Sequence, residues 1–346
     1  MLPQGRWASL PRPLRPAPAG SAEKGPMATR QRGFDVVTGG AGFIGSHLSG
    51  DLAKQGRRVL VLDDLSTGKR ERVDALLADH GDLVEFRQQD VRDLEALKDA
   101  FAGAEVVYHQ AALPSVPRSV NDPVASNAAN VDGTLNVFVA ARDAEVRKVV
   151  YASSSSIYGD SKELPKRETM PFNPLSPYAI TKCVGEMYGG VFSRLYGLQT
   201  VGLRYFNVFG PAQDPTSQYA AVIPRFITRM LRGESPVIFG DGEQSRDFTY
   251  VENVVTANQC AARSDATGIA VNIACGERYT LNRLVEILNG ILDKQVEPVY
   301  EDPRPGDVKH SQADVLRAAD AIGFSPSVDF EEGLRHTVEF FRSHPD

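Results

Sequence analysis

Tyr178 and Lys182 stand four residues apart in the run Tyr178-Ala179-Ile180-Thr181-Lys182, a spacing that places two side chains on one face of a helix. A free phenol titrates near ~10 and is a poor base at neutral pH. An ammonium beside it favours the phenolate, so the pair is a candidate proton shuttle. Upstream, Gly39, Gly40, Gly42 and Gly45 form a loop that satisfies G-x-G-x-x-G from Gly40. Such glycines allow a tight turn and a close backbone approach to a pyrophosphate, which then faces a helix N-terminus. Asp63 and Asp64 follow at the distance where a carboxylate accepts hydrogen bonds from an adenosine ribose. A carboxylate there repels a 2′-phosphate, so NAD is favoured over NADP; Lys69-Arg70 keep NADP as the lesser alternative. Asp64 also reads as a turn residue.

These groups need a scaffold that alternates strands with helices. The runs Phe34–Thr38, Arg58–Asp63, Leu83–Arg87, Glu105–His109, Lys148–Ala152 and Thr200–Tyr205 are short and rich in β-branched or aromatic residues. Helical patterns are expected near Ile44–Lys54, Asp93–Ala100, Pro123–Ala141 and Pro177–Tyr196. The expected class is α/β, a Rossmann-type doubly wound parallel sheet with a smaller α/β substrate domain at the C-terminal side. After Phe209 the rhythm breaks into Pro- and Gly-rich segments, and the run Ala270–Ala274 returns to the sheet. Residues 34–207 with 261–275 are therefore assigned to dinucleotide binding, and 208–260 with 276–346 to the substrate.

With 346 residues, 42% hydrophobic and 24% charged, the chain has an ordinary enzyme composition. The net charge of −6 argues against nucleic acid as a partner, and no run approaches the roughly 20 apolar residues of a spanning helix. Cys183, Cys260 and Cys275 lack metal-ligand spacing and read as core residues of a cytoplasmic protein. No metal is expected. Residues 1–33 hold six prolines and one acid, Glu23, among several arginines. They read as a disordered leader, with Met27 as an alternative start.

Taken together, these motifs resemble the extended short-chain dehydrogenase/reductases, and among them the UDP-sugar 4-epimerases. The resemblance runs from Phe34 to the C-terminus. It is carried by Thr38–Gly45, Asp90-Val91, His109–Ala112, Ser153–Gly159, Tyr178–Lys182, Arg204–Gly210, Gly240–Gly242, Ser245–Phe248 and Arg304–Asp307. The subgroup acting on UDP-N-acetylglucosamine is the most similar, through His109–Pro123, Gln213–Pro224 and Val308–Val315. The likeness implies cofactor contacts from Gly39, Gly42, Phe43, Ile44, Gly45, Asp63, Asp64, Gly68, Asp90, Val91, Gln110, Ala111, Ala112, Asn130, Tyr178, Lys182 and Tyr205. It implies substrate contacts from Ser115, Ser154, Ser155, Ser156, Tyr178, Asn207, Ala221, Val222, Arg246, Arg304, Asp307 and Ser311. Ser154, Ser156, Tyr178 and Lys182 would be catalytic. Ser311 is small enough to leave room for an N-acetyl group. Pro114 and Ala212 depart from the subgroup, where glycine and a basic residue are expected. The loop at Ser153–Gly159 lacks the Asp-Glu pair of dehydratase relatives.

The mechanism so implied is a redox detour: Tyr178 takes the C4 hydroxyl proton while the C4 hydride passes to NAD, and both return on the other face of a 4-keto sugar. Rivals are a UDP-uronate epimerase or decarboxylase, with Arg118 as a carboxylate partner, and a non-catalytic NAD-binding protein. The Ala- and Gly-rich helices 123–141 and 177–196 are expected to pair two subunits into a homodimer.

Overall fold

A computed structural model describes residues 33–216, 221–303 and 308–344. Six strands alternate with helices through the first two-thirds of the chain: β1 (Phe34–Thr38), β2 (Val59–Asp63), β3 (Val84–Gln88), β4 (Ala104–His109), β5 (Lys148–Ser154) and β6 (Gln199–Tyr205). The intervening helices are α1 (Phe43–Lys54), α2 (Arg70–His80), α3 (Leu94–Phe101), α4 (Val116–Asn121), α5 (Pro123–Asn127), α6 (Gly133–Asp143) and α7 (Pro177–Tyr196). Then come β7 (Val208–Phe209), α8 (Val222–Leu231), β8 (Val237–Phe239), β9 (Ser245–Arg246), β10 (Thr249–Tyr250), α9 (Val251–Arg263) and β11 (Ile269–Ile273). The chain continues with β12 (Tyr279–Thr280), α10 (Leu281–Leu292), β13 (Val299–Glu301), α11 (Leu316–Ile322) and α12 (Phe330–Ser343).

The main sheet has seven strands in the order β11-β6-β5-β4-β1-β2-β3, and every pairing is parallel. This is a doubly wound sheet whose order reverses between β1 and β4, where ligands of such folds bind. The interior strand β2 is buried throughout, as a sheet covered on both faces requires, whereas edge strand β3 is mostly exposed. One face packs Val37, Val61, Leu48, Leu52, Val254, Ala257, Ala261 and Phe324. The other packs Leu62, Leu97, Phe101, Phe138, Val149, Tyr151 and Phe192. A third cluster joins Phe209, Phe226, Ile227, Phe248, Leu284, Leu288, Phe330 and Leu334 beyond the carboxyl edge. Helix α7 opens on Pro177 with Ser176 Oγ accepting from Ala179 N at 3.1 Å, and ends at Gly197 in the left-handed region.

The helix expected over Pro123–Ala141 is instead three consecutive segments, with a π turn over Ala128–Asp132 between α5 and α6. Helix α2 and the helices after Phe209 were not among the expected elements. Helix α9, placed by sequence mostly with the substrate segment, buries Val254, Val255, Ala257 and Ala261 against the sheet. Residues 33–346 cluster as one compact unit. The expected leader lies outside the described residues, apart from Gly33. Among the described residues no helix is long and apolar enough to cross a membrane.

Candidate active site

The glycine loop leaves β1 and enters α1 with almost no room for side chains. A Cβ on Gly45 would lie 2.1 Å from Gly39 O, and one on Gly39 would lie 2.5 Å from Ala111 N. Gly39 also has φ +72°, which strains any other residue. The N-terminus of α1 carries no side-chain cap, so its amides and the helix dipole face the space over the loop. Phe43 and Ile44 form the first turn of α1. Asp63, 7% exposed, accepts from Ala41 N at 3.0 Å and Leu65 N at 2.8 Å. Burial raises its carboxyl above the usual range, against those two bonds. Gly68 approaches Asp63 so closely that a Cβ would sit 2.6 Å from Oδ1. Asp64 closes a turn on Ser66. Lys69 pairs with Asp214 at 3.2 Å and Arg70 with Asp74 at 2.8 Å. A glycine cradle under an uncapped helix, with a carboxylate at the end of β2, fits a dinucleotide carrying a free ribose diol.

The other expected cofactor residues divide into two groups. Ala111 crosses above Gly39, with Ala112 next in the chain, and the buried Val91 is held by Asn136 Nδ2, which reaches Val91 O at 3.3 Å and Arg92 O at 2.9 Å. Asp90, by contrast, is clamped by Arg92, which lowers its carboxyl pKa. Asn130 spends its amide on Leu113 N at 2.7 Å, Leu113 O and Thr181 Oγ1. Tyr205 donates to Gln110 Oε1 at 3.1 Å and accepts from Asn258 Nδ2 at 2.8 Å, and Gln110 donates to Asn258 Oδ1 at 3.0 Å. Asn130, Tyr205 and Gln110 are thus committed to holding the edge of β4 rather than presenting free polar groups. His109, pushed down to about 3 by burial, stays neutral between Thr38 Oγ1 and Thr134 Oγ1.

At the end of β5, Ser154 Oγ accepts from Ser156 N at 3.1 Å and caps the single turn Ser155–Tyr158. Ser154 also acts on the Tyr178 hydroxyl, drawing the phenol down against burial, so the serine and the phenol lie close together. Ser156 Oγ is buried and has no partner among the described residues. A hydroxyl in that position is costly unless a ligand completes it. Tyr178 N donates to Ser119 Oγ on α4 at 3.0 Å, and Ser115 caps the same helix.

The Tyr178–Lys182 electrostatics differ from expectation. Lys182 Nζ lies 5.7 Å from the centre of the Tyr178 ring and donates to Ala152 O at 2.9 Å. Burial pushes the Tyr178 phenol up from its ordinary value, opposed by the Ser154 bond alone. Burial also pushes the Lys182 ammonium down to about 8. Burial rather than the helix-mate's charge sets the direction for the phenol, and a fixed cation beside it, such as a bound nicotinamide, would favour the phenolate.

Four of the expected substrate residues, Asn207, Ala221, Val222 and Arg246, line a cavity of about 250 Å³ together with Gln244, Phe239, Phe248 and Arg225 among others. Asn207 holds φ +34°, an uncommon conformation, and donates from Nδ2 to Asp247 O at 2.9 Å. Arg246 reaches Ser245 O and Lys309 O. Ser311 pairs through its amide with Ser245 O, beside Arg246. Arg304 and Asp307 lie outside the described residues. Four contributors escaped the sequence reading: Ser119, Asn258, Asp247 and Glu186. Fully buried Asp247 accepts from Cys275 N, Gly276 N and Ala313 N and so ties β9 to two neighbouring loops. Glu186 had a signal in its position one helical turn after Lys182, and Ser119 and Asp247 in the segments His109–Pro123 and Ser245–Phe248 that carry the resemblance.

A doubly wound sheet with a dinucleotide cradle and a Ser-Tyr-Lys set at the ends of its strands defines an extended short-chain dehydrogenase/reductase. A profile of the NAD dependent epimerase/dehydratase family matches residues 36–274. The UDP-glucose 4-epimerase of Mycolicibacterium smegmatis is 40% identical over 311 residues, covering 89% of this chain and 98% of that protein. The UDP-N-acetylglucosamine 4-epimerase of Methanobrevibacter ruminantium, solved with UDP-N-acetylmuramic acid, is 45% identical with a TM-score of 0.86, covering 90% of this chain and 99% of that one. The NAD complex of the Thermus thermophilus UDP-glucose 4-epimerase is 39% identical with a TM-score of 0.80, covering 89% and 98%. The chain belongs to the NAD dependent epimerase/dehydratase family and, within it, to the NAD-dependent UDP-sugar 4-epimerases.

Proposed function

We propose that the protein interconverts UDP-N-acetylglucosamine and UDP-N-acetylgalactosamine, with UDP-glucose and UDP-galactose as secondary substrates. The observation that carries this reading is the buried, unpartnered Ser156 Oγ in the run whose Ser154 acts on the Tyr178 hydroxyl, together with a cavity lined by Arg246 and Asn207. Arg246, with Ala221 and Val222, would hold the diphosphate, since a guanidinium donates two parallel hydrogen bonds. Arg304 and Asp307 would complete that end. Ser311, next to the Arg246 strand, leaves space for the acetamido group.

When bound, NAD takes up and returns the C4 hydride and contributes a fixed positive charge at its nicotinamide. Tyr178 holds the C4 hydroxyl proton at its phenolic oxygen and gives it back after the sugar has turned. Ser154 keeps that oxygen in place, and Ser156 donates to the sugar. Lys182, fixed by Ala152 O, orients the cofactor ribose and adds charge while protonated. The UDP anchor holds the ketone through the turn.

The test is a panel of UDP-glucose, UDP-N-acetylglucosamine and UDP-glucuronate, with the anomeric protons of the products read by NMR. The N-acetylated pair is expected to show the highest kcat/KM. A preference for UDP-glucuronate would transfer the assignment to a uronate epimerase, in which Arg118, on the helix whose Ser119 touches Tyr178, meets the carboxylate. A homodimer is part of the same reading. Val120, Val124, Ile180 and Met187, on α4, α5 and α7, are 52–77% exposed and offer an apolar face to a second copy. A monomer in sedimentation at micromolar concentration would contradict it.

A further inference from the structure

Segment 210–216 leaves β7 beside the substrate cavity and is linked to the glycine loop through α2. A Cβ on Gly210 would lie 3.5 Å from the Phe43 ring, in the first turn of α1. Two residues on, Ala212 takes φ +59°, a conformation that an alanine keeps only where its surroundings hold it. The holder is Arg72, at the start of α2. Its Nη2 donates to Ala212 O at 2.5 Å and its Nη1 to Ala41 O at 3.2 Å. One half-buried guanidinium therefore joins a carbonyl of the glycine loop to a carbonyl of the substrate-side segment. Lys69 adds a second tie in parallel. Its amide donates to Ala41 O at 3.0 Å, and its ammonium pairs with Asp214 at 3.2 Å. Gln213 fixes the same segment from its other side, donating from Nε2 to Val208 O at 3.0 Å. None of these bonds lies within the Ser-Tyr-Lys set or within the residues assigned to the sugar.

We propose that Arg72 and Lys69 clasp segment 210–216 onto the glycine loop, and that this strap sets how long the protein retains its dinucleotide. The inference rests on the placement of NAD over Gly39–Gly45. Phosphates seated there are bounded on one side by the strap, so their departure requires the Arg72 and Lys69 ties to break first. Retention matters to an epimerase, because a cofactor that leaves while reduced strands the ketone. Arg72 and Lys69 act as positioning residues; they hold the backbone that encloses the cofactor.

The experiment uses the full-length holoenzyme as purified. Free NAD is removed continuously by an NAD-degrading enzyme, and the bound fraction is followed by cycling assay of filtered samples. Two charge-assisted bonds are lost in Arg72→Met, which is expected to release NAD at least about tenfold faster than wild type. The ion pair that Lys69→Met and Asp214→Asn remove is partly exposed, and about two- to threefold faster release is expected of each. Raising salt should accelerate release from wild type and have little further effect on those two variants. Partial recovery is expected for Arg72→Lys, which keeps the charge but not the paired geometry. Release from Arg72→Met, Lys69→Met and Asp214→Asn at the wild-type rate, with unchanged melting temperature, would overturn the proposal. Should Arg72→Met fail to fold, the two surface variants decide alone. Gly45→Ala is the control for the underlying site: it should fail to retain NAD at all, and normal retention there would remove the cofactor from the glycine loop and overturn the strap with it. Loss of retention there with wild-type release from the strap variants would overturn the strap alone.

Discussion

Tyr178→Phe is expected to lower kcat roughly 10²- to 10⁴-fold, the usual contribution of a positioned acid-base group, while UDP-sugar affinity changes little. The phenol oxygen is the only atom lost, and it sits beside Ser154 rather than in the cavity lined by Arg246 and Asn207. The expected split is therefore in kcat and not in binding, read by steady-state kinetics and by calorimetry with UDP. The surroundings of the oxygen also fix the pH dependence. Burial raises Tyr178 and lowers Lys182 to about 8. Lys182 is cationic below that value and neutral above it, so the wild-type rate should fall as pH rises past about 8. A second fixed cation nearby would move that limb lower still. Near-normal turnover by Tyr178→Phe would remove Tyr178 from the chemistry, and a rate that climbs steadily to pH 10 would remove the Lys182 charge from it.

The second large effect lies one turn further along the same helix. Glu186 and Arg204 form a bidentate pair, with Nε to Oε1 at 2.9 Å and Nη2 to Oε2 at 2.8 Å, and their side chains are 6% and 5% exposed. Ser153 Oγ donates to Glu186 Oε1 at 2.5 Å, and Arg204 Nη1 donates to Tyr158 OH at 2.6 Å. The network therefore ties α7 to the ends of β5 and β6, immediately behind Tyr178 and Lys182. Replacing Glu186 by Ala leaves the guanidinium buried without its counter-charge, at an expected loss of about 3–5 kcal/mol in stability. Removing both charges, as in Glu186→Met with Arg204→Leu, should recover most of that loss, because desolvation of both ions disappears together. Denaturant titration of the cofactor-free proteins measures both. A single variant within about 0.5 kcal/mol of wild type would show that the pair contributes nothing. Because Glu186 shares a helix face with Lys182, the single variant should also lose activity, through displacement of α7.

Particular elements show how far the amino-acid order reached. Strand Phe34–Thr38 and helix Pro177–Tyr196 are legible to the residue, since a short run rich in β-branched and aromatic residues and a Ser-Pro start with a glycine stop are local signals. The glycine spacing, Asp63 and the Tyr178–Lys182 interval are local in the same sense. Sequence by itself therefore determined the α/β class and the dinucleotide cradle, and singled out Ser154, Tyr178 and Lys182 as the candidates for handling the proton. What the phenol's neighbours do to it was decided only by tertiary structure: desolvation depends on what covers a group, and burial reversed the direction expected from the lysine's charge. The same holds for Asn130 and Tyr205, whose polar atoms are taken up by Leu113, Gln110 and Asn258 from distant parts of the chain. Arg72 meets Ala212 across 140 residues, a contact that no spacing rule registers, because its partners become neighbours only when the sheet has closed.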